Sequence, residues 1–256
     1  MTPPTTETLR RWFGASSLAF VALNVLFLVM VFSTGSPPPR LDDPTLVAYY
    51  HDHAALLATV TLISYLSLAP FVVFVATLRS LIRDAMDAAW LADTVAVLGA
   101  VFTAVAFVDF GFMGAAQAGA AGNSDPATVR TLEELGRYVG NLPSSLEWGM
   151  LMVAASVAFW SSGMLPRWVA WVGFIGAGVI MASAGSLYIG DTNSFWAADG
   201  GVALIGILPL FAWMVCAAIP ALRARPGTND RPDSSQSPIG DDLRVEVPLD
   251  TRNVQV

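Results

Sequence analysis

The sequence predicts an all-α, membrane-embedded bundle, and three observations lead there. Apolar residues arrive in six unbroken blocks, at 12–32, 54–78, 88–112, 146–164, 168–189 and 202–221. Charged residues make up 13% of the chain against 55% hydrophobic, where soluble domains carry about 25% charge. None of these blocks alternates polar and apolar residues as the strands of a membrane barrel do. A block of about 20 residues matches a hydrocarbon core of about 30 Å at 1.5 Å rise per residue. Lipid cannot satisfy backbone N–H and C=O groups, so each block is read as a helix. The expected architecture is six transmembrane helices in three hairpins over residues 1–225. Short amphipathic helices occupy the outer loops, and a disordered acidic cytoplasmic tail covers 226–256, where the composition turns polar and proline-bearing.

The first block follows Arg10 and Arg11 and is longer than the roughly 7–15 apolar residues of a signal peptide, so it is expected to remain as a span. Arginine placement then orients the bundle. All thirteen basic residues are arginine, which points to a GC-rich bacterial genome. If six helices cross in turn, Arg10, Arg11, Arg79, Arg83, Arg167, Arg223 and Arg225 share one side, against Arg40, Arg130 and Arg137 on the other. The positive-inside rule places the richer side, and with it both termini, in the cytoplasm. Trp12, Trp90 and Trp168 open the outward-going helices at the inner interface. The net charge of −7 argues against a nucleic-acid partner, because no basic stripe is present to neutralise phosphates. The expected partners are the bilayer itself, a second copy, or another membrane protein. The single cysteine, Cys216, lies inside an apolar block and permits no disulfide framework.

Two outer segments share a helix-start signal, an acid before a proline at Asp43-Pro44 and Asp125-Pro126. After Pro126, apolar residues recur at helical spacing, with Arg130/Glu134 and Glu133/Arg137 as i,i+4 pairs. Gly140 and Pro143 are expected to stop this helix, leaving it on the outer surface. The first segment is expected to run through Tyr49, Tyr50, His51 and His53 directly into the second span. Histidines two apart on a helix point about 200° from each other, so these two are read as interfacial anchors and not as a metal pair.

Ionisable residues at membrane depth are costly and mark candidate sites. Asp109 lies nineteen residues beyond Trp90, about 28 Å along a helix, near the outer edge of the third span. Glu147 stands three after Ser144, as in a capping box opening the fourth span. Asp93, near the start of the third span, suits the positive end of a helix dipole. His51, Asp109 and Glu147 all approach the outer leaflet, so together they form a candidate polar pocket. In the fifth span Gly173/Ala177 and Gly178/Ala182/Ser186 repeat every four residues, which suits close helix packing. Pro70 and Pro209 interrupt spans two and six and are read as ordinary tolerated kinks, with kinks bordering a transporter site as the alternative. No phosphate loop, zinc-hydrolase or serine-hydrolase pattern occurs, and no cofactor or metal is expected.

The stretches DPTLVAYYHDHAALL (43–57), LRSLIR (78–83), GMLPRWVAWVGFIG (163–176) and LPLFAWMV (208–215) resemble small actinobacterial membrane proteins close to the family catalogued as domain of unknown function 4386. The resemblance covers roughly residues 10–225. It implies a compact bundle of about six helices and supplies no reaction, ligand or functional residue. The expected function is that of a non-enzymatic protein of the bacterial cytoplasmic membrane, serving a partner or envelope organisation. The alternatives are a small transporter or permease subunit using Asp109, and a lipid-acting enzyme using Glu147 and His51. A dry core disfavours transport, whereas a polar cavity reaching Asp109 favours it.

Overall fold

The computed structural model describes residues 5–33, 43–122, 124–185 and 201–223, all within one compact unit, Met1–Ala224. These residues are helical and include no strand. In chain order the helices are α1 (Thr6–Ser33), α2 (Asp43–Asp52), α3 (Ala54–Ala85), α4 (Ala89–Ala121), α5 (Pro126–Ser162), α6 (Arg167–Ser183) and α7 (Gly201–Arg223). The helices α1, α3, α4 and α5 are each long and apolar enough to cross a membrane, and α6 and the 207–223 part of α7 are shorter apolar helices. The chain is therefore compatible with a membrane-embedded protein. Large apolar side chains outside the core agree with this, among them Val29, Leu62, Val97 and Ile175, each more than half exposed. Such a surface is a liability in water and ordinary in lipid.

The long helices pack in sequence order, α1 on α3, α3 on α4, α4 on α5, α5 on α6 and α6 on α7, and α7 returns to α1 to close a ring. One end of the ring carries Arg10, Arg11, Arg79, Arg83, Arg167 and Arg223; the other carries α2 and the α4–α5 link. Inside, rings from five helices form one continuous aromatic core. Phe13 lies 5.2 Å from Phe74 and 6.4 Å from Phe159, Phe71 lies 4.9 Å from Phe102 and 5.0 Å from Trp148, and Phe159 lies 6.0 Å from Trp213. Offset and edge-on pairs of this kind add about 0.5–1.5 kcal/mol each beyond area burial.

Two turns form as their residues dictate. Gly163, at φ +65°, ends α5 in the left-handed region that glycine adopts without strain, and Pro166 precedes α6. Asp125 caps α5 with Pro126 at the first helical position, although its side chain makes no capping bond.

Several expectations need correction. The helix that opens at Pro126 does not stop at Gly140 and Pro143 or lie apart as a surface helix; it runs on as α5 to Ser162. Gly136 and Gly140 face α4 closely, so packing against the neighbouring helix outweighs the local cost of glycine and proline. Ser144 and Glu147 consequently sit in mid-helix and form no capping box. Nor does α2 continue directly into α3. The chain breaks at His53 (φ −111°, ψ 14°), which lets α2 fold back and bury Leu46 and Tyr50 against Ala116, Ala120 and Val129 of α4 and α5. Asp93 is more than a dipole partner, since its carboxylate accepts hydrogen bonds from Arg79 and Arg83 of α3. The expected tail at 226–256, the end of span five and Ser186 lie outside the described residues.

The α2 contact makes a pH prediction. Burial, and then the nearby Glu133 carboxylate, push the Tyr50 phenol well above its ordinary pKa of 10.0, with Arg137 opposing. The unfolded phenol ionises near pH 10 while the folded one keeps its proton, so stability present below pH 10 is lost as pH rises toward the folded value. Thermal unfolding in detergent between pH 8 and 11 should therefore show wild type falling more steeply than Tyr50→Phe. Equal declines would contradict this.

Candidate functional site

Within the half of the bundle nearer α2, a cavity of about 190 Å³ opens between α1, α3, α4, α5 and α7. Its polar lining comes from Asn24, Ser64, Ser67, Asp109, Gly140 and Ser144. Phe20, Phe102, Trp148 and Phe211 supply much of the apolar wall. On the side toward the arginine end, Phe20 and Trp148 join Phe71, and through it the aromatic core closes the cavity floor.

Asp109 reaches this cavity because of what stands opposite on α5. A Cβ built on Gly140 would fall 2.7 Å from Asp109 Oδ2, and one on Gly136 would fall 3.5 Å from Oδ1. Gly136 and Gly140, four apart on one helix face, thus make a notch that receives the carboxylate. Among the described residues nothing donates a hydrogen bond to Asp109 or forms an ion pair with it.

Three of the other polar groups each give one hydrogen to the backbone. Asn24 Nδ2 donates to Phe20 O at 2.9 Å, Ser64 Oγ to Val60 O at 3.0 Å and Ser67 Oγ to Ser64 O at 2.7 Å. Backbone-bonded hydroxyls keep oxygen lone pairs, and the bonded amide keeps its carbonyl oxygen. The wall therefore offers one carboxylate, several oxygen acceptors and aromatic rings, with the second Asn24 N–H and the Ser144 hydroxyl as donors.

Comparison of the chain with protein-family models, curated proteins and solved structures finds no match. What the cavity does must be read from its chemistry.

The structure brings together only part of the candidate pocket. Asp109 lines the cavity. Glu147 is buried and its Oε2 has no partner among the described residues, yet it does not line the cavity, although Ser144 and Trp148 on either side do. His51 is exposed, 3.7 Å from Asp52, and contributes nothing to the wall; neither does it form an acid–base pair with Glu147. His53 turns back on its own turn, with Nδ1 3.0 Å from Tyr49 O and its ring on Tyr49. Among the described residues no three His, Cys, Asp or Glu side chains gather as a metal site.

The packing set divides too. Gly173 and Ala177 are buried, while Gly178 and Ala182 face outward, with nothing within 4 Å of a Cβ built on Gly178. Gly176 takes the inner place, close to Met152 and Pro209, because a helix face continues at three- and four-residue steps and residue 178 lies 100° from 177.

Sequence reasoning missed Gly136, Gly140, Asn24, Ser64 and Ser67. The glycine pair carries a usable signal in its four-residue spacing, but only Gly140, with Pro143, enters the sequence reading, as a helix stop.

Proposed function

We propose that the chain is a six-span, non-enzymatic protein of the bacterial cytoplasmic membrane, both termini cytoplasmic, that binds a small organic cation at Asp109. It acts as a compact carrier or permease subunit. The observation behind this reading is the cavity wall itself: a carboxylate without a counter-charge and several oxygen acceptors, the Ser64 and Ser67 protons already given to the backbone, facing aromatic rings. A neutral solute would leave the Asp109 carboxylate without a counter-charge. A cation satisfies the carboxylate and is drawn to ring faces, a contact worth about 2 kcal/mol or more when desolvated. The volume is below the roughly 300–1,000 Å³ of drug-sized sites, which favours a compact ammonium ion. This cavity moves the balance from partner binding or envelope organisation toward solute binding.

Two features support the transport aspect. Ser67 and Leu68 precede the helix-interior Pro70, and Leu210 and Phe211 follow Pro209, so the cavity lies level with both interruptions. The aromatic floor separates it from the arginine end, as a gate between alternating openings would. Six spans are supported by the closed ring, in which α6 and α7 complete the circuit begun by four longer helices.

The test is binding of tetramethylammonium to the purified protein by calorimetry, with tert-butanol as a neutral compound of similar shape. Tetramethylammonium should bind and tert-butanol should not. Equal binding of the two, or no binding of tetramethylammonium, ethylammonium or guanidinium, would overturn the reading.

A further inference from the structure

On the surface of the α3–α4 pair, with no lining residue in common with the Asp109 cavity, an open groove of about 840 Å³ runs from Arg79 and Asp93 to Phe107. Small side chains make it. Ala96, Ala100 and Ala104 line one side at four-residue steps. Gly99 lets the helices close the floor, since a Cβ there would fall 2.6 Å from the Val75 methyls. Along α4 the groove runs from Asp93 to Phe107, a rise of about 21 Å, more than the roughly 15 Å of one leaflet in a 30 Å hydrocarbon core.

Its charged end has an unequal composition. Asp93 Oδ1 accepts from Arg79 Nη2 at 2.8 Å and Nε at 3.1 Å, and from Arg83 Nη2 at 3.1 Å. One carboxylate thus faces two guanidinium groups, each partly exposed, and Nη1 of neither is used in these bonds. Asp84 and Asp87 stand exposed in and before the α3–α4 link and pair with neither arginine among the described residues. Trp90, 67% exposed, lies one turn before Asp93, where an indole marks headgroup depth.

We infer that this groove holds an anionic phospholipid of the inner leaflet, its phosphate on Arg79 and Arg83 and one acyl chain along Ala96, Ala100 and Ala104. Guanidinium groups match phosphate oxygens in bidentate geometry, and the cytoplasmic leaflet is where anionic lipids are met. An apolar partner helix laid in the same groove would cover the partly exposed Arg79 guanidinium, with Arg83 beside it on Asp93, without supplying an anion. The inference uses the inward orientation of the arginine end and is independent of the solute site.

Native mass spectrometry of the delipidated protein tests it, with phosphatidylglycerol, phosphatidylcholine of the same chains, and glycerol phosphate without chains. Phosphatidylglycerol, whose phosphate charge is uncompensated, should be retained at least about tenfold more strongly than phosphatidylcholine, whose choline ammonium neutralises its phosphate beside two guanidinium groups, and glycerol phosphate hardly at all. Arg79→Gln/Arg83→Gln should reduce phosphatidylglycerol to the phosphatidylcholine level. Ala100→Phe, which fills the acyl track and leaves both arginines, should weaken both lipids, and it decides the matter if the double variant does not fold. Equal retention of the two lipids, full retention by either variant, or a dimer that Ala100→Phe dissociates would overturn the inference. Tetramethylammonium binding should be unchanged in Ala100→Phe, which separates failure here from failure of the solute site.

Discussion

Asp109→Asn is expected to weaken tetramethylammonium binding by roughly 30- to 4,000-fold while the bundle stays folded. Removing one partner of a buried charge pair costs about 2–5 kcal/mol, and each 1.4 kcal/mol is tenfold. The asparagine is nearly isosteric, so it should still fit the Gly136–Gly140 notch. Its amide also brings donor hydrogens into a wall of acceptors, which gives the side chain new partners but nothing for a cation. Thermal stability of the ligand-free protein should therefore hold or rise, because an unpaired carboxylate at membrane depth is costly. Calorimetry and a melting curve on the same sample check both halves. Binding within twofold of wild type would remove Asp109 from the site.

Gly173→Val should destabilise the junction of α5, α6 and α7 by about 1–3 kcal/mol, the usual cost of overpacking a filled core. A Cβ at 173 would meet Ser156 Oγ and fall 2.7 Å from Trp213 Nε1. The serine hydroxyl can rotate away. The indole is fully buried and stacked on Phe159, so the helices themselves must part. Gly178→Val is the matched control: the position is exposed with nothing within 4 Å, and it should stay within about 0.5 kcal/mol of wild type. Unfolding in detergent should separate the two variants clearly, and similar midpoints would contradict the packing described here.

What the sequence made legible follows from the range over which each interaction acts. Apolar block length is a property of consecutive residues, so the long helices could be read directly. The Asp125-Pro126 start of α5 is equally local. The continuity of α5 through Gly140 is not, because the contact that favours it lies on α4, at Asp109. The same holds for Asp93, whose partners sit ten and fourteen residues earlier on the preceding helix. Asp109 stood out as a lone carboxylate in an apolar run. The residues around it did not, because Asn24, Ser64 and Ser67 are unremarkable until α1 and α3 bring them to Asp109 on α4. His51 failed to join them for a related reason: the break at His53 turns α2 onto the α4–α5 hairpin, a tertiary event that spacing along the chain does not record.

The most direct measurement concerns α4, on which both the cavity and the groove depend. In a Cys216→Ser background the chain carries no other cysteine, so single cysteines can report which side each end occupies. Asp125→Cys in the α4–α5 link should react with a membrane-impermeant maleimide in intact cells. Asp87→Cys in the α3–α4 link should react only after the cells are permeabilised. If both positions label together from the same side, or the protein is recovered folded in the soluble fraction, α4 does not cross a membrane and the account fails.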